Sequence, residues 1–142
     1  MAIDVKDILY YGRFYPSINE DIPFWWYDNE KGEVIELTEL LKTVGISAID
    51  ESKINEMRDM GFYPLFRLDI IQLEKKFVGI TLSKKEAAPL DSLLDASEYD
   101  KTFKYIIERY NLDRRWAEFE YEALHNAAVI WINKNHLRIR VR

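Results

Sequence analysis

Between residues 112 and 131 apolar side chains return every three or four positions, and this run limits the fold more than any other stretch. Leu112, Trp116, Phe119, Ala123, Ala127 and Ile130 form one row, and Ala117, Tyr121, Leu124, Ala128 and Trp131 lie beside it. The two rows make a face wider than a coiled-coil seam, which suits a helix packed on a sheet or in a bundle. Ala123, Ala127 and Ala128 let another element approach closely. The pattern predicts a helix over 113–133, with Asn135 as a left-handed C-terminal residue. Beyond it Leu137, Ile139 and Val141 alternate with Arg138, Arg140 and Arg142, the period of an edge strand.

Upstream, the signals are shorter. Asp4 is placed to cap a helix carrying Val5, Ile8 and Leu9, with Gly12 as its stop. Pro16, Ser17, Asn19 and Pro23 mark a loop. Phe24 to Asp28 and Glu33 to Leu37 read as a hairpin with one covered face, in which Gly32 takes a positive φ. Thr38 caps a helix from Glu39 to Val44 closed by Gly45, and Asp50 caps another from Glu51 to Met60 closed by Gly61. Phe62 to Leu68 reads as a strand that Pro64 confines to an edge. Asp69 and Gln72 resemble a capping box opening a helix with Ile70, Leu73 and Phe77 on one side. Gly79 to Ser97 gives little signal beyond a surface connection and a turn of helix around Leu90 to Leu94. Ser97 or Asp100 starts a helix bearing Phe103, Ile106, Ile107 and Tyr110, which breaks at Asn111. These elements predict an α+β fold. Its small antiparallel sheet, the hairpin plus one or two further strands (62–68, with 137–141 as another edge), is covered by several helices, the long C-terminal one central. The length of 142 residues predicts a single domain.

Twenty aromatic residues is a high count for this length. Tyr and Trp join an apolar body to a polar tip, so the excess implies a thick layer where core meets water or partner. Residues 1–60 carry thirteen acids against six bases, and residues 61–142 carry fourteen bases against twelve acids. An acidic front half argues against a broad nucleic-acid surface, which needs clustered cations. Without cysteine there are no disulfides or thiolate metal sites, which fits a reducing compartment. MAIDVKDILYYG has neither a basic n-region nor an apolar core, and no apolar run approaches the ~18 residues of a spanning helix. A soluble, cytoplasmic chain with no membrane partner is expected.

Candidate chemistry is sparse. Glu122 and His125 have the spacing of a di-iron half-site, but such a site needs a second Glu-x-x-His, and His136 has no Glu three before it. No serine sits in a Gly-x-Ser-x-Gly elbow, and five glycines provide no phosphate-cradling loop. Asp28, Glu30, Glu33, Glu36 and Glu39 gather around the hairpin without the order of a calcium loop, so a solvated or protein-binding acidic face is favoured over a cation site. Lys134, Arg138, Arg140 and Arg142 form the sharpest charged feature. As a phosphate-contacting edge they would bind single-stranded nucleic acid. As edge-strand charges they would deter strand pairing, and a third reading sets the tail against the acidic hairpin. In Phe24-Trp25-Trp26-Tyr27, Phe24 and Trp26 share one sheet face and Trp25 and Tyr27 the other, so one pair enters the core and the other needs cover from a helix, a partner or a ligand.

Three stretches together resemble a family. Tyr27-Asp28-Asn29-Glu30-Lys31-Gly32-Glu33-Val34, Tyr63-Pro64-Leu65 leading into Ile70 to Val78, and Phe103 to Leu137 with Trp116, Phe119, Glu122, Ala128, Trp131 and Asn135 are similar to the uncharacterised bacterial protein family number 0158 of the UPF series. The resemblance spans about three-quarters of the chain. It departs at Gly79 to Asp95, and at Leu73 to Phe77 where the family has an acid-rich helix. It implies a small cytoplasmic bacterial protein and carries over no activity and no catalytic residue.

The sequence therefore predicts a non-enzymatic protein-interaction or regulatory module without cofactor or metal. Trp25, Tyr27, Glu30 and Glu33 are its candidate contact residues, and its partner is another protein or a second copy of the chain. The alternatives are a nucleic-acid-associated regulator using Lys134, Arg138, Arg140 and Arg142, and a metal-dependent hydrolase using Asp28, Glu30 and Glu33 or Glu122 and His125.

Overall fold

The computed structural model describes residues 3–15 and 22–141; Pro16, Ser17 and Asn19 of the expected loop, and Arg142, lie outside them. The elements in chain order are β1 (Ile3–Asp4), β2 (Arg13–Phe14), β3 (Trp25–Asp28), β4 (Glu33–Glu36), α1 (Leu37–Val44), α2 (Ile54–Asp59), β5 (Phe62–Pro64), β6 (Leu68–Asp69), α3 (Ile70–Thr81), α4 (Lys84–Asp91), α5 (Ala96–Arg109), α6 (Asp113–Asn135) and β7 (Ile139–Arg140). Single 3-10 turns stand at Val5–Asp7, Leu9–Gly12 and Glu51–Lys53. The fold is α+β, with a three-stranded antiparallel sheet ordered β4-β3-β5 and a long C-terminal helix. Contacts divide the chain into two compact units. One holds the described residues of Met1–Gly12, Asn19–Arg67 and His125–Arg142, and the other those of Arg13–Ile18 and Leu68–Leu124.

The first unit is built on the hairpin. Trp25 pairs with Glu36 and Asp28 with Glu33, and Gly32 turns the loop at φ +69°. Strand β5 pairs on the other side, so β3 is the middle strand, and helices cover residues on both its faces, not one as the hairpin alone predicts. Trp26 is fully buried in a cluster with Leu40 of α1, Met57 of α2 and Phe62 of β5. Tyr27, on the opposite face, is equally buried against Trp131 of α6, ring centres 5.9 Å apart. Burying one such ring contributes about 1.5–3 kcal/mol, so these two residues anchor the unit.

Several boundaries differ from expectation. Helix α1 begins at Leu37, not Glu39, because the Leu37 N–H is already satisfied by the Phe24 carbonyl at 2.7 Å and no Thr38 cap is needed. The Asp50 cap holds, accepting from the Lys53 N–H, but the first turn it opens is 3-10. The Asp4 helix is likewise two 3-10 turns. Strand β5 lies at the sheet edge as Pro64 requires, yet it stops there, and Leu68–Asp69 pair instead with β2. Residues 139–140 do not join the hairpin sheet; they run parallel to β1, Ile3 opposite Ile139. The left-handed residue closing α6 is His136 at φ +54°, one later than Asn135, whose side chain donates back to the Trp131 carbonyl at 2.9 Å.

The second unit is helical apart from the β2–β6 pair. Phe77 of α3, Phe103, Ile106 and Ile107 of α5, and the half-buried Trp116 and Phe119 of α6 form its core. Asp69 accepts from the Gln72 N–H at 3.1 Å, as its cap position predicts. Helix α4 stands where a surface connection is expected, and it ends at Asp91 where a turn of helix around Leu90 to Leu94 is predicted. Ser83 and Glu86 form a reciprocal capping box, and Pro89 sits inside the helix instead of breaking the chain there. Helix α5 starts from Asp95, two residues before Ser97. Asn111, at φ +56°, breaks the chain before α6 as expected.

The buried stripe of α6 is shifted from the predicted rows. Leu124, Ala128 and Trp131 are buried, but Ile130 is 68% exposed and Ala117 faces solvent. In their place Ile132 and the acid Glu120 turn inward.

Candidate functional site

Glu74, on α3, stands between Ile70 and Ile71 one turn before and Phe77 and Val78 one turn after, all buried. Helical spacing therefore carries its carboxyl into the second unit, where the residue is 1% exposed. Glu120 does the same on α6, at 5% exposure between Trp116 and Leu124. Asp100 stands on α5 between Ala96 and Phe103, with its side chain mostly covered.

These acids are unequally partnered. Glu120 is bridged by the Arg13 guanidinium from β2. Asp100 Oδ2 lies 3.0 Å from Lys104 Nζ, four residues on along α5. Among the described residues Glu74 has no base paired with it. Burial, then a hydrogen bond with Asp100, then the Asp100 charge push its carboxyl up to about 9. It is therefore neutral at pH 7 and shares its proton with Asp100. That proton accounts for Glu74 Oε1 and Asp100 Oδ1, buried oxygens that receive no N–H or O–H from any described residue. The hydrogen bond to Asp100 raises Lys104, and burial followed by the Asp100 charge raises the Tyr15 hydroxyl. A cavity of about 160 Å³ opens beside the cluster, walled by Tyr15, Ile71, Ala96, Ser97 and Asp100.

A carboxyl group sharing a proton beside an open cavity can accept a donor or move a proton. Templates that look for apolar spacing, or for known catalytic motifs, pass over it. The available signal is an acid standing on the apolar face of its own helix, which Glu74, Asp100 and Glu120 each show.

The residues singled out in the sequence lie elsewhere. Tyr27 is inside the first unit, whereas Trp25 is half-buried with its ring edge-on to Tyr11 at 4.8 Å and to Phe24 at 4.9 Å. Tyr11 is 43% exposed and Phe24 38%, so the three rings form an open aromatic face. Glu30, Glu33 and Glu36 are exposed, with Glu36 directly across from Trp25. Asp28 is buried, and its Oδ1 accepts from the Glu30 and Lys31 N–H groups, which fixes the hairpin loop. Lys134 and Arg138 are exposed, Arg140 bridges Asp4 at 2.9 Å, and the Arg138 N–H donates to Asn29 of the hairpin loop at 3.3 Å. The tail thus does touch the hairpin. Glu122 is exposed and His125 half-buried, and among the described residues no group of three or more His, Asp or Glu is placed to hold a metal ion. No helix of the described residues is long and apolar enough to cross a membrane.

Comparison of the chain with family models, curated proteins and solved structures finds no match.

Proposed function

We propose that the protein is a non-enzymatic interaction module that binds another protein through Tyr11, Phe24 and Trp25 of its first unit. The observation that carries this reading is the aromatic face itself: three rings packed edge-to-face with two of them open to solvent. Large rings already held by their neighbours lose little freedom on binding, which is why Trp and Tyr dominate the energetic centres of interfaces. The exposed Glu36, directly across from Trp25, gives this face an acidic border. The partner it fits presents an apolar side chain flanked by Lys or Arg. A second copy of the chain is the competing occupant. The proposed place of action is the cytoplasm of a bacterium, supported by the lack of cysteine and by the resemblance to family number 0158 of the UPF series.

Affinity capture with the wild-type chain and with Trp25→Ala, paired with light scattering of each, tests the reading. A partner, or a dimer, present with the wild type and lost with Trp25→Ala is expected. A monomer whose captured proteins are the same for both chains would overturn it.

A second reading is single-stranded nucleic-acid binding along Lys134, Arg138, Arg140 and Arg142. The exposure of Lys134 and Arg138 favours it, and the commitment of Arg140 to Asp4 weakens it. Binding that falls steeply with salt is expected on this reading; binding unchanged when Lys134 and Arg138 become alanine would remove it.

A further inference from the structure

Among the described residues, the polar cluster of the second unit is one positive charge short. Three acids, Glu74, Asp100 and Glu120, face two bases, Lys104 and Arg13. Neutrality is reached because Glu74 keeps its proton, although nothing but Asp100 shares it. The cavity lies on that same carboxylate. Its walls join one anion, Asp100, and two hydroxyl residues, Tyr15 and Ser97, to the apolar Ile71 and Ala96. Its volume of about 160 Å³ matches cavities that hold a ligand of roughly six heavy atoms. The chemistry that fits is a short apolar stem ending in a cation.

We propose that this cavity binds a small primary ammonium ion against Asp100. The charge it brings replaces that of the Glu74 proton, which leaves to solvent. No bond is made or broken besides that proton transfer: one cation enters, one proton departs, and the cluster stays neutral. Glu74 is the coupling residue, because it is 1% exposed and its Oε1 meets no N–H or O–H donor from a described residue. An anion there is tolerated only while a positive charge lies beside it. The other groups facing it are Asp100 and Lys104 of α5 and Glu120 of α6; the Tyr99 and Tyr15 hydroxyls are themselves raised by burial and stay neutral through this range.

Butylammonium, with butan-1-ol as its neutral counterpart, provides the test on the full chain. Calorimetry in two buffers of different ionisation enthalpy should show close to one proton released per butylammonium bound. Affinity should rise between about pH 6.5 and 8.5, by at most ~tenfold per pH unit, and the Ile71 and Ser97 amides should shift. Asp100→Asn should weaken binding at least ~tenfold, as loss of a buried charge partner does. Glu74→Gln keeps the neutral shape of the native side chain, so it should fold as the wild type while binding more weakly and without the pH slope. Binding of butan-1-ol as tight as the amine, a Glu74→Gln variant that retains the slope, or no butylammonium binding at millimolar concentration would each overturn the proposal.

Discussion

The two units bury polar groups in opposite ways. In the first, three are answered by backbone. The Trp26 indole N–H donates to the Pro23 carbonyl at 2.8 Å, the Trp131 indole to the Pro64 carbonyl at 2.9 Å, and Asp28 accepts two loop N–H groups. In the second, Glu74 and Glu120 are answered by other ionisable side chains. Backbone partners do not titrate, whereas carboxyl and guanidinium partners do. The first unit's indole partners are therefore the same at every pH, whereas the partners in the second unit change charge with it.

The largest expected effect probes a backbone-partnered group of the first unit. Trp131→Ala removes the ring over Tyr27 and Phe66 and leaves the Pro64 carbonyl without its donor. It should cost about 3–5 kcal/mol in chemical denaturation, and by the same amount near pH 5 and pH 8. A loss that varies with pH would break the contrast.

Next comes Glu74. The unfolded carboxyl ionises in the ordinary range near 4.5, and the folded one at about 9. Its contribution is complete below the lower value and is lost as pH rises through the upper one, with a slope of at most ~1.4 kcal/mol per pH unit. Glu74→Gln should flatten that decline and leave the protein more stable than wild type near pH 8. A parallel decline in both proteins would show that Glu74 is not its source.

Arg13→Ala strands the Glu120 carboxylate. Because the Arg13 side chain is 39% exposed, the expected cost is only about 1–2 kcal/mol, and Glu120→Gln should cost less. Equal losses would mean that the pair contributes through packing alone. The smallest effect is Ser83→Ala, about 1 kcal/mol from the α4 cap. Amide exchange should quicken within Lys84–Asp91 and stay unchanged in the β4-β3-β5 sheet.

What could be read from the sequence follows how far apart its causes lie. The Asp50 and Asp69 caps depend on neighbours three positions away and the hairpin on pairs at most eleven apart (Trp25 to Glu36), and all stand where the residues place them. Helix α4 was just as local, but Pro89 and few apolar residues hid a capping box that four letters spell out. The start of α1 was not local, because the group satisfying Leu37 is the carbonyl of Phe24. The site was hidden for another reason. Counting only apolar residues along a helix face skips Glu74, Asp100 and Glu120, although each occupies a position that the same spacing assigns to the interior. The aromatic face was half legible: alternation separates Trp25 from Trp26, but that Trp131 covers Tyr27 while Trp25 stays open depends on tertiary packing.

The nesting of one unit's sequence within the other's sets an order during synthesis. Residues 68–124, with the core of the second unit, leave the ribosome before the last strand and half-helix of the first. Until Trp131 and Ile139 are made, Tyr27 lacks its cover and Ile3 its pairing partner. The Arg138 N–H and the Asn29 side chain, joined across 109 positions, close a second long loop. The enclosed unit can thus form its core while the Tyr27 face of β3 is still uncovered, and the enclosing one completes only near release, so that apolar face is open to wrong contacts for most of synthesis.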